Sequence, residues 1–273
     1  MNNKALLNEL LCIRAEVRQS VPLIHYMTNH ISSELCANGI LALGASPIFA
    51  EHPAEAEEIT KRAKAFAINL GGISDVRMEA ALKSGRVALE RKIPSVIDLV
   101  GVGCSKLRMD CAEKFIGECR PSIIKGNFSE IMSICKKGGN AKGVDAAGEA
   151  ERDLEELKAA MRELSVRTEA VVVCTGEIDL AVTQSEIYSI YNGNPMLSKI
   201  TGTGCLFTAL TATLISGGEI LEGAVLAAII LGICGEMAEG ATGPGSFRTA
   251  LLDGIYNIDY DCILTRGRVD FEA

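Results

Sequence analysis

Two hydrophobic rhythms alternate along the chain. One is helical, clearest over Asn2–Gln19, where Leu6, Leu7, Leu10, Leu11, Ile13 and Val17 recur with Lys, Glu and Arg between them. The other is a set of short apolar runs without polar alternation: Pro22–Met27, Ser46–Ala50, Ala65–Leu70, Ser95–Val100, Ser122–Lys125 and Ala170–Thr175. Most runs end in glycine or a polar residue and lead into helix-period segments, at 32–43, 53–63, 74–92, 106–119 and 127–136, with another at 148–167. Ser32 or Ser33 can cap the first of these and Gly44 stops it. Runs that are apolar at every position suit central strands of a parallel sheet covered on both faces. Thr183–Tyr191 reads as an edge hairpin, and three helices close the chain at about 203–217, 219–240 and 246–257. The succession predicts an α/β protein. No repeat, low-complexity tract or linker divides it, so residues 1–273 are expected to form one domain.

Composition narrows the class of protein. Hydrophobic residues make up 48% of the chain, enough for a large core, but aromatics are only 4% and Trp is absent, so aliphatics and small residues must fill it. The formal charge of −8 and the scattered Lys and Arg offer no basic stripe, which argues against nucleic acid as a partner. Ten cysteines without a C-x-x-C pair or a secretory leader read as reduced thiols in a cytoplasm. Three histidines give zinc little to bind, which leaves carboxylates as the metal ligands to consider. Two uncharged stretches, Ile200–Gly218 and Gly223–Gly235, read as core helices and not membrane spans. The first is rich in Gly and Thr, and the second falls short of the roughly 20 residues a bilayer needs.

Ligands of open α/β sheets sit at the carboxyl ends of the strands, so the loops after the apolar runs carry the chemistry. Thr201-Gly202-Thr203-Gly204-Cys205 stands directly ahead of an uncharged helix. Its glycines let backbone approach a ligand, and the unpaired N–H groups of the first turn favour an anionic phosphate or oxyanion. That position also makes Cys205 a candidate proton acceptor or nucleophile; its plain alternative is one more small core residue. Asp98 ends one apolar run and Glu130 follows another within Asn127-Phe128-Ser129-Glu130, a pair able to hold Mg²⁺ against phosphate oxygens. Taken singly, Glu130 also reads as a capping-box acid with Asn127 or Ser129, Asp98 as a turn acid and Lys125 as a solvated charge. Neither a P-loop nor a G-x-G-x-x-G fingerprint occurs, so phosphate must be held differently.

Taken together, these segments resemble the hydroxyethylthiazole kinase family. The likeness runs through Pro22-Leu23-Ile24-His25 with Thr28-Asn29, Cys36-Ala37-Asn38-Gly39, Ala42-Leu43-Gly44-Ala45-Ser46-Pro47, Val100-Gly101-Val102-Gly103 and Lys125-Gly126-Asn127. It continues through Gly143-Val144-Asp145, Thr175-Gly176-Glu177, the Gly-Thr-Gly-Cys turn and Gly243-Pro244-Gly245-Ser246-Phe247. The resemblance implies a ribokinase-like three-layer α/β/α fold and transfer of the ATP γ-phosphoryl group to the hydroxyl of 4-methyl-5-(2-hydroxyethyl)thiazole, in thiamine salvage. It implies Cys205 near the acceptor hydroxyl, where related sugar kinases keep an aspartate, with Gly202 and Gly204 shaping an anion hole. Asp98 and Glu130 would serve Mg²⁺, Lys125, Asn127 and Thr175 would contact ATP, and Asn29, Phe49 and Gly202 would line the thiazole. A homotrimer with active sites at subunit boundaries is implied as well. Five positions depart from the family's usual residues: Leu99 for proline, Lys125 for arginine, Phe49 for methionine, and Leu70 and Gly72 where Asn69-Leu70-Gly71-Gly72 stands for Asn-Ile-Gly-Thr. Two other readings stand beside this one: a kinase for another small heterocyclic alcohol, pyrimidine or pyridoxal-like, and a non-catalytic ligand-binding pseudokinase.

Overall fold

The computed structural model describes residues 3–138 and 150–273. Asn2, Gly143-Val144-Asp145 and the first two positions of the expected 148–167 helix lie outside the described residues. Among the described residues one sheet holds nine strands: β1 (Leu23–Met27), β2 (Ser46–Ile48), β3 (Ala65–Asn69), β4 (Ser95–Asp98), β5 (Ile123–Asn127), β6 (Val171–Thr175), β7 (Asp179–Val182), β8 (Ile187–Ile190) and β9 (Val269–Glu272). Their spatial order is β2-β1-β3-β4-β5-β6-β7-β8-β9. The first six run parallel and the last three join antiparallel.

The helices are α1 (Asn3–Ser20), α2 (Ser33–Leu43), α3 (Ala56–Arg62), α4 (Asp75–Arg91), α5 (Lys106–Cys119), α6 (Phe128–Gly138), α7 (Ala150–Thr168), α8 (Thr203–Leu214), α9 (Ile220–Met237), α10 (Pro244–Asn257) and α11 (Tyr260–Arg266). Side chains alternate across the sheet as a pleat requires, but both destinations are apolar. Ala65 and Ala67 face a core built with α1, α2, α8, α9 and α10, whereas Phe66 and Ile68 face one built with α4, α5, α6 and α7. That is the physical reason the strands show no polar alternation, and the result is the expected three-layer architecture.

The antiparallel end departs from the expected edge hairpin at Thr183–Tyr191. Its first strand begins earlier, at Asp179, residues 183–186 form the turn, and β9 covers β8. Helix α9 belongs to a segment long and apolar enough to cross a bilayer, Ile220–Gly240, but 78% of its apolar window is buried inside the protein.

Register places the chemistry. Asn69, Asp98 and Lys125 are paired in turn across β3, β4 and β5, at the carboxyl ends and on one face. Farther along, the fully buried His25 of β1 ties the chain after β2 in place. Nε2 donates to the Ala50 carbonyl at 2.9 Å and Nδ1 lies 2.9 Å from Thr60 Oγ1. Burial lowers this imidazole to about 4 against the effect of the Ala50 bond, so it stays neutral in the fold. The native state therefore binds fewer protons than the unfolded chain between pH about 6.5 and 4, and His25 costs stability as pH falls through that window. Urea unfolding of wild type and His25→Gln across it should converge by up to roughly 3 kcal/mol toward the acid end; parallel curves would show that His25 does not titrate on unfolding.

Candidate active site

Gly202 is the N-cap of α8, and its φ of 96° lies in the left-handed region. A side chain there would also meet Ser32, whose Cβ lies 2.9 Å from the place a Cβ would occupy. The first helical bond of this end is Leu206 N–H to Gly202 O at 2.7 Å. The amides of Thr203, Gly204 and Cys205 precede it, so they have no acceptor within the helix and present the positive end of its dipole.

This turn lies over the Asn69–Asp98–Lys125 row and is joined to each member. Asn69 Nδ2 donates to Cys205 Sγ at 3.3 Å, Thr208 Oγ1 donates to Asp98 Oδ2 at 2.8 Å, and Lys125 Nζ donates to the Gly204 carbonyl at 3.3 Å. Lys125 also pairs with Asp98 Oδ1 at 3.0 Å, with both side chains almost wholly buried. Burial alone would lower the ammonium, but the charge and hydrogen bond of Asp98, with Glu130 behind them, raise it above its ordinary value. Lys125 is therefore charged throughout the neutral range.

Asn29, in the chain after β1, donates to Cys205 Sγ from a second direction at 3.3 Å. Its Oδ1 accepts from Ser32 N–H at 3.1 Å, which fixes the amide. Tyr26 donates to the Cys205 carbonyl at 3.1 Å, and the half-buried Phe49 ring stands 6.1 Å from the Tyr26 ring. Asn29, Phe49, Gly202 and Cys205 thus occupy one corner of the site. Sequence reasoning did not single out Tyr26, Asn69 or Thr208; each is an ordinary strand-end or helix residue until the register is known.

Glu130 shows the capping-box geometry. Asn127 Oδ1 accepts from Glu130 N–H at 3.0 Å while Glu130 Oε2 accepts from Asn127 N–H at 2.8 Å. Its other oxygen accepts from Gly101 N–H at 2.8 Å, so one carboxylate ties the loops after β4 and β5 together. Asn127 is thereby occupied as a cap at the exposed end of β5. Among the described residues no group of three or more His, Cys, Asp or Glu could enclose a metal ion. Asp98 spends its oxygens on Lys125, Asn69 and Thr208. Glu130, half-buried and accepting one amide at each oxygen, fits a hydrated cation that keeps its waters.

Beside the α8 turn opens a cavity of about 810 Å³ lined by Thr175, Gly176, Asp179, Asn194, Thr203 and Gly204 among others. Thr175 and the glycine turn therefore share one wall, whereas Lys125 and Asn127, expected beside them, do not line the cavity. Asp179 was not foreseen. Its Oδ1 accepts from Gly176 N–H at 2.9 Å, yet burial pushes its carboxyl up to about 6 against that bond and the charge of Lys125.

A buried acid–lysine pair beneath a thiol-bearing helix start, facing a cavity of nucleotide size, is paired with matches over nearly the whole chain. The profile described as the hydroxyethylthiazole kinase family matches residues 14–261. The chain belongs to the hydroxyethylthiazole kinase family. A hydroxyethylthiazole kinase 2 of Clostridium botulinum strain Langeland is 49% identical over 261 residues, spanning 94% of this chain and 98% of that protein. The solved hydroxyethylthiazole kinase of Pyrococcus horikoshii OT3 superposes with a TM-score of 0.89 at 31% identity, covering 97% of this chain and all of that one. A pyridoxal kinase of Staphylococcus aureus, in complex with AMP-PCP and pyridoxal, shares the fold alone, with a TM-score of 0.58 at 12% identity over 92% of this chain and 97% of that one. As a member of the thiazole kinase family the chain is an ATP-dependent kinase.

Two outcomes follow from the charges of the site. Lys125→Met leaves Asp98 buried without its counter-ion and should lower unfolding free energy by about 3–5 kcal/mol in urea titration, with much of the loss recovered in Lys125→Met/Asp98→Asn; equal stability of Lys125→Met and wild type would contradict a buried charged pair. Asp179 acts oppositely to His25: because its folded carboxyl is raised, the native state holds the extra proton, and stability falls as pH rises from about 4 to about 6. Asp179→Asn should gain up to roughly 3 kcal/mol relative to wild type between those limits, and a pH-independent difference would refute the assignment.

Proposed function

We propose that this kinase phosphorylates the hydroxyl of 4-methyl-5-(2-hydroxyethyl)thiazole, in thiamine salvage. The observation that carries the proposal is the Cys205 sulfur, in the first turn of α8 and held by the side-chain amides of Asn29 and Asn69, one step from the 810 Å³ cavity. ATP would enter that cavity along Thr175 and Gly176, with its phosphates toward Thr203 and Gly204. The thiazole would lie against Phe49 and Asn29. Attack of the acceptor oxygen on the γ-phosphorus forms one P–O bond and breaks the bond to the bridging oxygen, whose electron pair leaves with ADP. The hydroxyl proton passes to the Cys205 sulfur when that sulfur is ionised, a form toward which two asparagine amides and the helix end point. A loose transition state releases that proton late, so positioning and charge carry most of the rate.

Mg²⁺ would be held through water on Glu130, where it would neutralise charge on the phosphates. Asp98 would contribute to the site by keeping Lys125 charged and in place. We read residues 1–273 as one kinase domain and place it in the cytoplasm. The absence of disulfides among the described residues, ten cysteines notwithstanding, supports that location.

The reading extends to a homotrimer with its sites at subunit boundaries. Ile31, Val76, Leu107 and Phe128 are 81%, 55%, 60% and 42% exposed, and all four stand where helices begin after parallel strands, on the rim of the site. Such large apolar exposure at one rim suits burial by a second copy.

Purified protein with Mg-ATP should form ADP in a thiazole-dependent manner. A hydroxymethylpyrimidine or pyridoxal should support far less, and preference for either would move the acceptor assignment. Cys205→Ala should lower kcat by roughly 10²-fold while Cys205→Asp retains activity; wild-type rates in the alanine variant would remove the thiol from the mechanism. In light scattering, Ile31→Glu should shift mass from trimer toward monomer, and an unchanged trimer would place the interface elsewhere.

A further inference from the structure

The Asn69 side chain touches both ends of the chemistry and is fully buried. Its Nδ2 carries two hydrogens, and two acceptors stand within reach: Asp98 Oδ2 at 2.8 Å and Cys205 Sγ at 3.3 Å. Its Oδ1 accepts from Gly71 N–H at 2.7 Å and from Asn29 Nδ2 at 3.4 Å. The amide cannot be turned over. Exchange of its nitrogen and oxygen would set an oxygen against the Asp98 carboxylate and the sulfur, and an NH₂ against the Gly71 amide. The loop that carries this constraint is itself held. Arg77 donates to the Gly72 and Asn69 carbonyls at 2.7 and 3.4 Å, and Arg108 donates to the carbonyls of Leu70, Gly71 and Val100.

We propose that Asn69 is a positioning residue for phosphoryl transfer, coupling the buried Asp98–Lys125 pair to the Cys205 sulfur and keeping that sulfur an acceptor aimed at the substrate hydroxyl. With Asn29 and Asn69 each donating to it, the sulfur has both lone-pair directions of a thiol occupied. The S–H of the neutral form must then point away from both amides, and the thiolate gains two N–H donors. Asp98 enforces the arrangement from the other side, since a carboxylate accepts the second Nδ2 hydrogen and no competing acceptor can draw it off. The proposal rests on the reading of Cys205 as proton acceptor.

The test is a set of four proteins: wild type, Asn69→Ala, Cys205→Ala and the double variant, each with a thermal unfolding midpoint and steady-state kinetics. Asn69→Ala should lose roughly 10²-fold in kcat, the range of a general base, with KM for ATP within about twofold. In the Cys205→Ala background the same change should cost less than about threefold, since its route of action is gone. Iodoacetamide labelling with peptide mapping supplies a readout with a distinguishing sign: Cys205 is buried, so a loosened fold would speed its labelling, whereas loss of the Asn69 donor slows it. Cys205 should label at least fivefold more slowly in Asn69→Ala at pH 8, relative to the exposed Cys104 of the same molecule. Asn69→Gln, which keeps the NH₂ donor on a longer arm, should recover part of the labelling rate. Unchanged Cys205 labelling in Asn69→Ala, or an equal kcat loss with and without Cys205, overturns the role of Asn69 and leaves the base reading intact. Full activity of Cys205→Ala overturns the base reading, and the proposal with it.

Discussion

The buried Asp98–Lys125 pair is the interaction on which the site depends. Two charges in a dry interior are tolerated only when their remaining donors and acceptors are met. Here Asn69 and Thr208 complete the carboxylate, and the Gly204 carbonyl takes a second hydrogen of the ammonium. Those partners lie at three places on two elements: the end of β3, the body of α8 and the first turn of α8. Satisfying the pair therefore fixes the height and rotation of α8 above the sheet. That in turn places the three unpaired amides and the Cys205 sulfur at the carboxyl ends of the strands, an arrangement whose dipole favours an anionic group. The hydrogen bonds that satisfy the buried pair are also the ones that position the α8 turn.

The fold was legible because its signal is redundant. Six apolar runs and the helix periods between them predict a covered parallel sheet, and the strand positions agree to within a residue or two at most ends. Legibility failed where tertiary pairing, not local pattern, decides. Asp98 reads as a strand end and β4 does stop there, but the apolar run reaches on to Val100, and Leu99 and Val100 instead lead out to Gly101, whose amide meets Glu130. Asp179, a charged residue, opens β7 because its carboxylate closes a turn on Gly176. Strand β9 is four residues long with three of them exposed, and nothing in so short a run distinguishes it from a tail before β8 supplies its partner.

The site was legible to a different degree. Gly202, Gly204 and Cys205 stand out as a glycine-rich turn before an uncharged helix, a pattern that also suits a tight turn with a core cysteine, and Gly202 does require its left-handed backbone. Asp98 and Lys125 were visible as individuals but not as partners, since 26 residues of helix and loop separate them and only register brings them side by side. Asn69 is the sharper case. An asparagine before a double glycine reads locally as a turn former, and its Oδ1 does bond Gly71 N–H. Only the third dimension shows that the same amide has a second edge directed at the acid and the thiol.

The lysine at position 125 gives this chain a particular version of the site. An ammonium has three donors and no plane, so it can serve Asp98 and Gly204 and keep one hydrogen for an anionic oxygen. Its nitrogen lies 3.4 Å from the place a Cβ on Gly204 would occupy, so the α8 turn rests close upon it. A planar guanidinium, the family's usual group, would bring bidentate reach toward phosphate, but it would have to find room under that same turn. With lysine, the cation is pinned between carboxylate and helix start as a fixed point charge. Fixed charge needs no rearrangement as negative charge moves toward the leaving oxygen, which is the property that lets a preorganised site stabilise a loose transition state without a strong base.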